Sequence, residues 1–79
     1  MKLNQPAPFS EIWDNLTKFE REELVRTIIT DGHTVYYQVV TNWVKGKTLP
    51  AAQSLRDGIA KSVSRFLGIE VDSNTLFRV

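Results

Sequence analysis

The chain contains no cysteine, which removes two ways of bracing a small domain: neither a disulfide nor a thiolate-bound metal is available. Histidine occurs once, at His33. With one imidazole, no thiol and no Asp/Glu cluster beside an acceptor, neither a metal site nor a nucleophile–base pair can be assembled. The expectation is a protein that is not an enzyme, with no catalytic residues, metal, cofactor or small-molecule substrate. Apolar runs longer than a few residues are missing as well, so no membrane span is expected. The opening residues Met1-Lys2-Leu3-Asn4-Gln5-Pro6 lack the apolar core of a signal peptide, which makes the cytoplasm the expected compartment. No internal repeat or low-complexity tract interrupts the chain.

What is present describes a single soluble globular domain. Of 79 residues, 42% are hydrophobic and 24% charged, an ordinary balance at a length close to the lower limit for a self-sufficient core. The net charge of +1 is unremarkable, but its distribution is uneven. Residues 1–31 carry four basic and six acidic side chains, whereas residues 32–67 carry five basic side chains against Asp57 alone. A middle segment biased this way suits a surface that faces phosphates.

The pattern of apolar residues, caps and breakers predicts an all-α fold of four to five short helices in a compact helix-turn-helix bundle. Residues 1–8, with Pro6 and Pro8, form a flexible arm, and residues 9–79 form the domain. A first helix is expected from Ser10 as N-cap to about Leu16. Thr17-Lys18-Phe19-Glu20 fits a capping box opening a second helix, with Leu24, Val25, Ile28 and Ile29 as its buried stripe and Asp31-Gly32 as its end. A third helix is expected from about Thr34 to Val44. There Thr34, Gln38, Thr41 and Lys45 share one side, while Tyr36, Val40 and Trp43 share the other. Pro50 suits the first position of a fourth helix running to Leu67, with Leu55, Ile59, Val63, Phe66 and Leu67 inward and Gly68 as its stop. Asp57 and Lys61 are spaced for an i,i+4 pair, and Gly58 for a close helix contact. His33 reads as a capping or surface group. The tail, 69–79, is either a short strand or a turn followed by a short helix capped by Asp72.

The third helix carries the functional signal. A helix that reads DNA needs an apolar side anchoring it and an opposite side of short or planar hydrogen-bonding groups. Val40, Trp43 and Val44 can anchor. Gln38 and Asn42 carry amides able to pair bidentately with adenine, and Thr41 can meet a thymine methyl. Tyr37 joins these as a candidate base contact, with Tyr36 expected to be half buried. Lys45 and Lys47, with the hydroxyls of Thr34 and Thr48, are the candidate phosphate contacts. No carboxylate stands on this side to be repelled by the duplex.

The segment Val40-Thr41-Asn42-Trp43-Val44-Lys45-Gly46-Lys47-Thr48-Leu49-Pro50 resembles the recognition-helix end of the lambda-repressor/Cro-like helix-turn-helix family. Ile59-Ala60-Lys61, Phe66-Leu67-Gly68-Ile69-Glu70-Val71-Asp72 and Leu76-Phe77 are similar to the way such domains close. The resemblance implies that Val40 and Trp43 are core anchors, that Tyr36, Tyr37, Gln38, Thr41 and Asn42 face the major groove, and that Lys45 and Lys47 meet the backbone. It also implies that the helix ending near Asp31 is the supporting helix. The expected function is sequence-specific binding of double-stranded DNA by a transcriptional regulator. A domain this small makes few contacts, so a homodimer is expected, at least on DNA. Its surface would be supplied by Ile69, Val71, Leu76 and Phe77, or by Ile12 and Trp13. The alternative is a small helical interaction module, an adaptor or inhibitor, docking a partner through Tyr36, Tyr37 and neighbouring apolar side chains.

Overall fold

The computed structural model describes residues 4–78; residues 1–3 of the expected arm and Val79 at the end of the tail lie outside them. Five helices follow in order: α1 (Phe9–Asp14), α2 (Lys18–Thr30), α3 (Tyr37–Val44), α4 (Gln53–Leu67) and α5 (Ser73–Leu76). No strand occurs among the described residues, so the all-α expectation holds and the tail resolves to its helical alternative.

The capping box opens α2 as the sequence demands. The Glu20 amide donates to Thr17 Oγ1 (3.2 Å) and the Thr17 amide to Glu20 Oε1 (2.9 Å), pairing two amides that the first turn would otherwise leave without partners. Thr17 is extended to cap α2 (φ −71°, ψ 166°), and α1 stops short of the expected Leu16, with Asn15 as its C-cap. It ends at Asp14 and starts at Phe9 rather than after Ser10, since the buried Phe9 ring is drawn into the core. Ala7, inside the expected arm, is buried too.

Leu24, Val25 and Ile28 of α2 pack inward, with α2 lying chiefly on α4, but Ile29 is 47% exposed. One step of about 100° beyond Ile28 carries it off the core face. On α4, Ile59, Val63 and Leu67 are buried, while Leu55 and Phe66 are only partly covered. Pro50 does not open this helix. It is buried in the preceding turn, where its carbonyl accepts from the Arg56 guanidinium, and α4 begins three residues later behind Ala52. Gly68 closes α4 in the left-handed conformation (φ 77°).

Polar clasps fix α4 to its neighbours. At one end the Ser62 hydroxyl donates to the Asp31 carboxylate (2.5 Å), which also accepts from Arg65. The Ser62 hydrogen bond and then Arg65 hold the Asp31 carboxyl below the usual carboxylate range. Near the other, Asp57 accepts from Ser73 (2.7 Å) and Gln53 (2.9 Å), which lower its pKa in that order. Both partners bond the same Asp57 oxygen, and the expected partner Lys61 makes no ion-pair contact with the carboxylate, acting on it only as a more distant charge. Asp72 caps α5, accepting from the Thr75 amide (2.8 Å), and the Val71 amide donates to Ser64 Oγ (2.8 Å). The tail is therefore folded back on α4.

Gly58 faces His33, which is half-buried rather than free on the surface. A Cβ at position 58 would lie 2.7 Å from His33 Cε1 and 3.1 Å from Nε2. Gly58→Ala should therefore fail to yield the gain of about 1 kcal/mol usual for glycine to alanine inside a helix. In a His33→Ala background the same substitution should deliver that gain, read from urea denaturation. Equal gains in both backgrounds would show that the imidazole sets no limit on position 58.

The core unites the tail and the first helix with the rest. Ile12, Trp13, Val71, Leu76 and Phe77 are all buried within the monomer. This corrects the expected dimer surface, of which only Ile69 remains partly exposed. A chain this short has few large apolar side chains, and its own core takes up these ones.

Candidate nucleic-acid interface

α3 starts at Tyr37, not Thr34, and the reason lies in Val35. On a continuous helix Val35 would sit about 140° from Val40, and the two could not share one buried face. Instead residues 31–36 form a connector in which Val35 turns inward and is buried, and the backbone is extended at Tyr36 (φ −121°, ψ 161°). Thr34 is thus an exposed connector residue and not part of the polar side of the helix. Tyr36 precedes the helix as its N-cap and is 70% exposed, against the expectation of a half-buried ring beside Val40 and Trp43. Tyr37 is the more covered of the two, being 39% exposed, its ring tilted against Trp13 at 5.6 Å.

The inner side of α3 is rooted by Val40 and Trp43, both buried as expected. Around it runs a relay of five aromatic rings. Tyr37 contacts Trp13, Trp13 meets Phe9 edge-on (6.2 Å), Phe9 meets Phe77 (6.0 Å), and Phe77 meets Trp43 (6.2 Å). The relay leaves α3 at its first residue and returns at its seventh, tying it to α1 and to the residue after α5. Each edge-to-face contact adds roughly 0.5–1.5 kcal/mol beyond burial. Arg21 completes the support: its Nε donates to the Trp13 carbonyl (3.0 Å) and its guanidinium lies 5.4 Å over the Trp13 ring.

The outer side presents Gln38, exposed, with Thr41 and Asn42 partly exposed. Gln38 Nε2 donates to Asn42 Oδ1 (3.2 Å), and the Thr41 hydroxyl donates back to the Gln38 carbonyl (2.8 Å). The linked amides leave one oxygen lone-pair side and one NH2 group free to face outward. At the C-terminal end Gly46 takes φ 75°. Its amide donates to the Trp43 carbonyl (3.1 Å), and the Lys47 amide to the Asn42 carbonyl (3.0 Å). This paired bonding is a Schellman ending, which requires a residue tolerant of positive φ. It turns the chain sharply, and Lys45, Lys47 and Thr48 are exposed around it.

Of the expected contacts, Tyr37, Gln38, Thr41, Asn42 and Lys45 come together on or at the end of α3, and Lys47 and Thr48 follow directly. Thr34 stands apart on the connector. Between Gly32 and Asp57 the sequence has no carboxylate. In space, acids from other helices border it: Asp14 lines the cleft beside Lys45, and Glu22 lines the one beside Tyr37. The reading from sequence missed the parts played by Phe9 and Phe77, since a ring relay between residues 68 positions apart has no local signature. No group of His, Asp or Glu suited to a metal occurs among the described residues, and no helix there is long and apolar enough to cross a membrane. No protein-family model, curated protein or solved structure matches the chain.

Proposed function

We propose that this domain binds double-stranded DNA by laying the outer side of α3 in the major groove, as a transcriptional regulator would. One observation carries the reading: an exposed hydroxyl-and-amide surface (Gln38, Thr41, Asn42) on a helix rooted by Val40 and Trp43, with Lys45 and Lys47 at its end. An α-helix with its side chains is about 10–12 Å across, a fit to a major groove about 12 Å wide. Gln38 and Asn42 read base edges, Thr41 meets a thymine methyl or polar edge, and Tyr37 borders the site. Lys45, Lys47 and Thr48 take phosphates, and Thr34, set apart on the connector, is not among them. The resemblance of residues 40–50 to lambda-repressor/Cro-like regulators supports the same assignment. An all-polar side on a helix also suits a solvated surface, and the run of residues 33–56 without a carboxylate tips the balance toward phosphate.

The test is a fluorescence-polarisation titration of random-sequence duplex at several salt concentrations. The wild-type chain is expected to bind with an affinity that falls steeply as salt rises. Lys47→Glu should weaken binding to every sequence and reduce the slope of log K against log salt by about one. Absence of binding at low salt would end the DNA reading, and an unchanged slope would remove Lys47 from the phosphate contacts.

A further inference from the structure

Among the large apolar side chains that the core leaves uncovered, three gather around α2, while Leu49 stands apart beyond α3. Phe19 is 69% exposed, and Ile29 and Tyr36 are exposed with it. Phe19, Glu22, Arg26 and Ile29 recur along α2 at steps of three, four and three, within an arc of about 80° at 100° per residue. Leu24 and Ile28 lie on the opposite, buried side. The order along the stripe is apolar, acidic, basic, apolar. Beside it runs a shallow, mainly apolar cleft bordered by Arg26, Ile29, Val35, Tyr36 and Tyr37, with buried Val25 on its floor.

This order is self-complementary. When two α2 helices cross antiparallel about a two-fold axis level with residue 24, Phe19 faces Ile29 of the partner subunit. Glu22 then faces Arg26 of the partner subunit. Each contact occurs twice, as an isologous interface requires. A partner of unrelated sequence would need the apolar ends but has no reason to match the charge order between them. Arg26 is already drawn along α2 by Glu23 (2.7 Å), in a pair that is itself exposed. Its guanidinium has donors left for a second carboxylate.

We propose that a second copy of this chain docks on the Phe19–Ile29 stripe, with α2 antiparallel to α2 and the exposed Phe19 ring seated in the cleft beside Ile29. The proposal does not rest on the DNA reading: Gln38, Thr41 and Asn42 lie outside the stripe, although Tyr37 borders both the cleft and the proposed groove face, and a dimer can be measured without nucleic acid. It replaces the surfaces that the core has absorbed.

Sedimentation equilibrium of the full chain from micromolar to millimolar concentration tests it, with circular dichroism confirming that each variant stays helical. The wild type should show a concentration-dependent monomer–dimer equilibrium. Glu22→Arg sets like charges together at both ends of the axis and should raise the dimer Kd by at least about tenfold. Adding Arg26→Glu to it restores opposite charges and should return the Kd to within about threefold of the wild type. Phe19→Ser, at an exposed position that does not endanger the fold, should weaken the dimer independently. A wild type that stays monomeric throughout would overturn the proposal. So would a double reversal that gains nothing over Glu22→Arg, or a Phe19→Ser protein that dimerises like the parent.

Discussion

Trp43→Ala is expected to unfold the domain, or nearly so. The side chain is buried and ends the aromatic relay against Phe77, and truncating a buried tryptophan costs about 3–5 kcal/mol. Small domains sit near the bottom of the usual range of about 5–15 kcal/mol of total stability. With no disulfide or metal brace to compensate, a loss of that size leaves little folded protein at 25 °C. Urea denaturation followed by far-ultraviolet circular dichroism reads the result. A midpoint close to the wild type would mean that α3 is held by something other than its Trp43 root. Because that root also orients the outer side of α3, the proposed DNA binding should disappear together with the fold.

The second large effect concerns the amide pair. Joined by one hydrogen bond, Gln38 and Asn42 present a free acceptor and a free donor. That is the set that adenine complements with its N6 amine and N7 in the major groove. Loss of a good bidentate contact costs about 1–3 kcal/mol of discrimination, roughly fivefold to 150-fold in preference. Gln38→Ala, Asn42→Ala and the double variant should each keep wild-type helicity, since neither side chain is buried. Each should lose preference at the same base pair, and the double variant should lose little more than either single one, because the two amides act as a unit. Competition between a selected duplex and its single-base variants measures this. Preference retained by the double variant would show that the amides do not read bases.

Much of the fold is legible because it is written in local chemistry. Thr17 and Glu20 cap each other across three residues, Gly68 ends α4, and Asp72 caps α5. Each of these needs only its own turn. Two kinds of feature are not local. Val35 looks like one more β-branched residue of a helix, and only the geometry of sharing a core with Val40 shows that the chain must stay extended there. That shift reverses the two tyrosines, exposing Tyr36 and leaning Tyr37 on Trp13. The aromatic relay joins Phe9 to Phe77, and the burial of Val71, Leu76 and Phe77 depends on the tail folding back on α4 through Ser73 and Asp57. Apolar residues near both ends therefore resemble an interaction surface in sequence and belong to the core in structure. Ile29 shows the reverse case, reading as core but lying outside it. At the candidate site, the side-chain types of Gln38, Thr41, Asn42 and Lys45 are readable directly. Their mutual arrangement depends on the late start of α3.

The most direct test of the central claim is a heteronuclear NMR titration of the isotope-labelled chain with a short duplex at low salt. Large shifts are expected for the side-chain amides of Gln38 and Asn42 and for the backbone amides from Tyr37 to Thr48, with little change around Ser62 and Ser73. Perturbations confined to Phe19 and Ile29, or to α4 and α5, would contradict a DNA-reading role for α3, as would a spectrum that the duplex leaves unchanged.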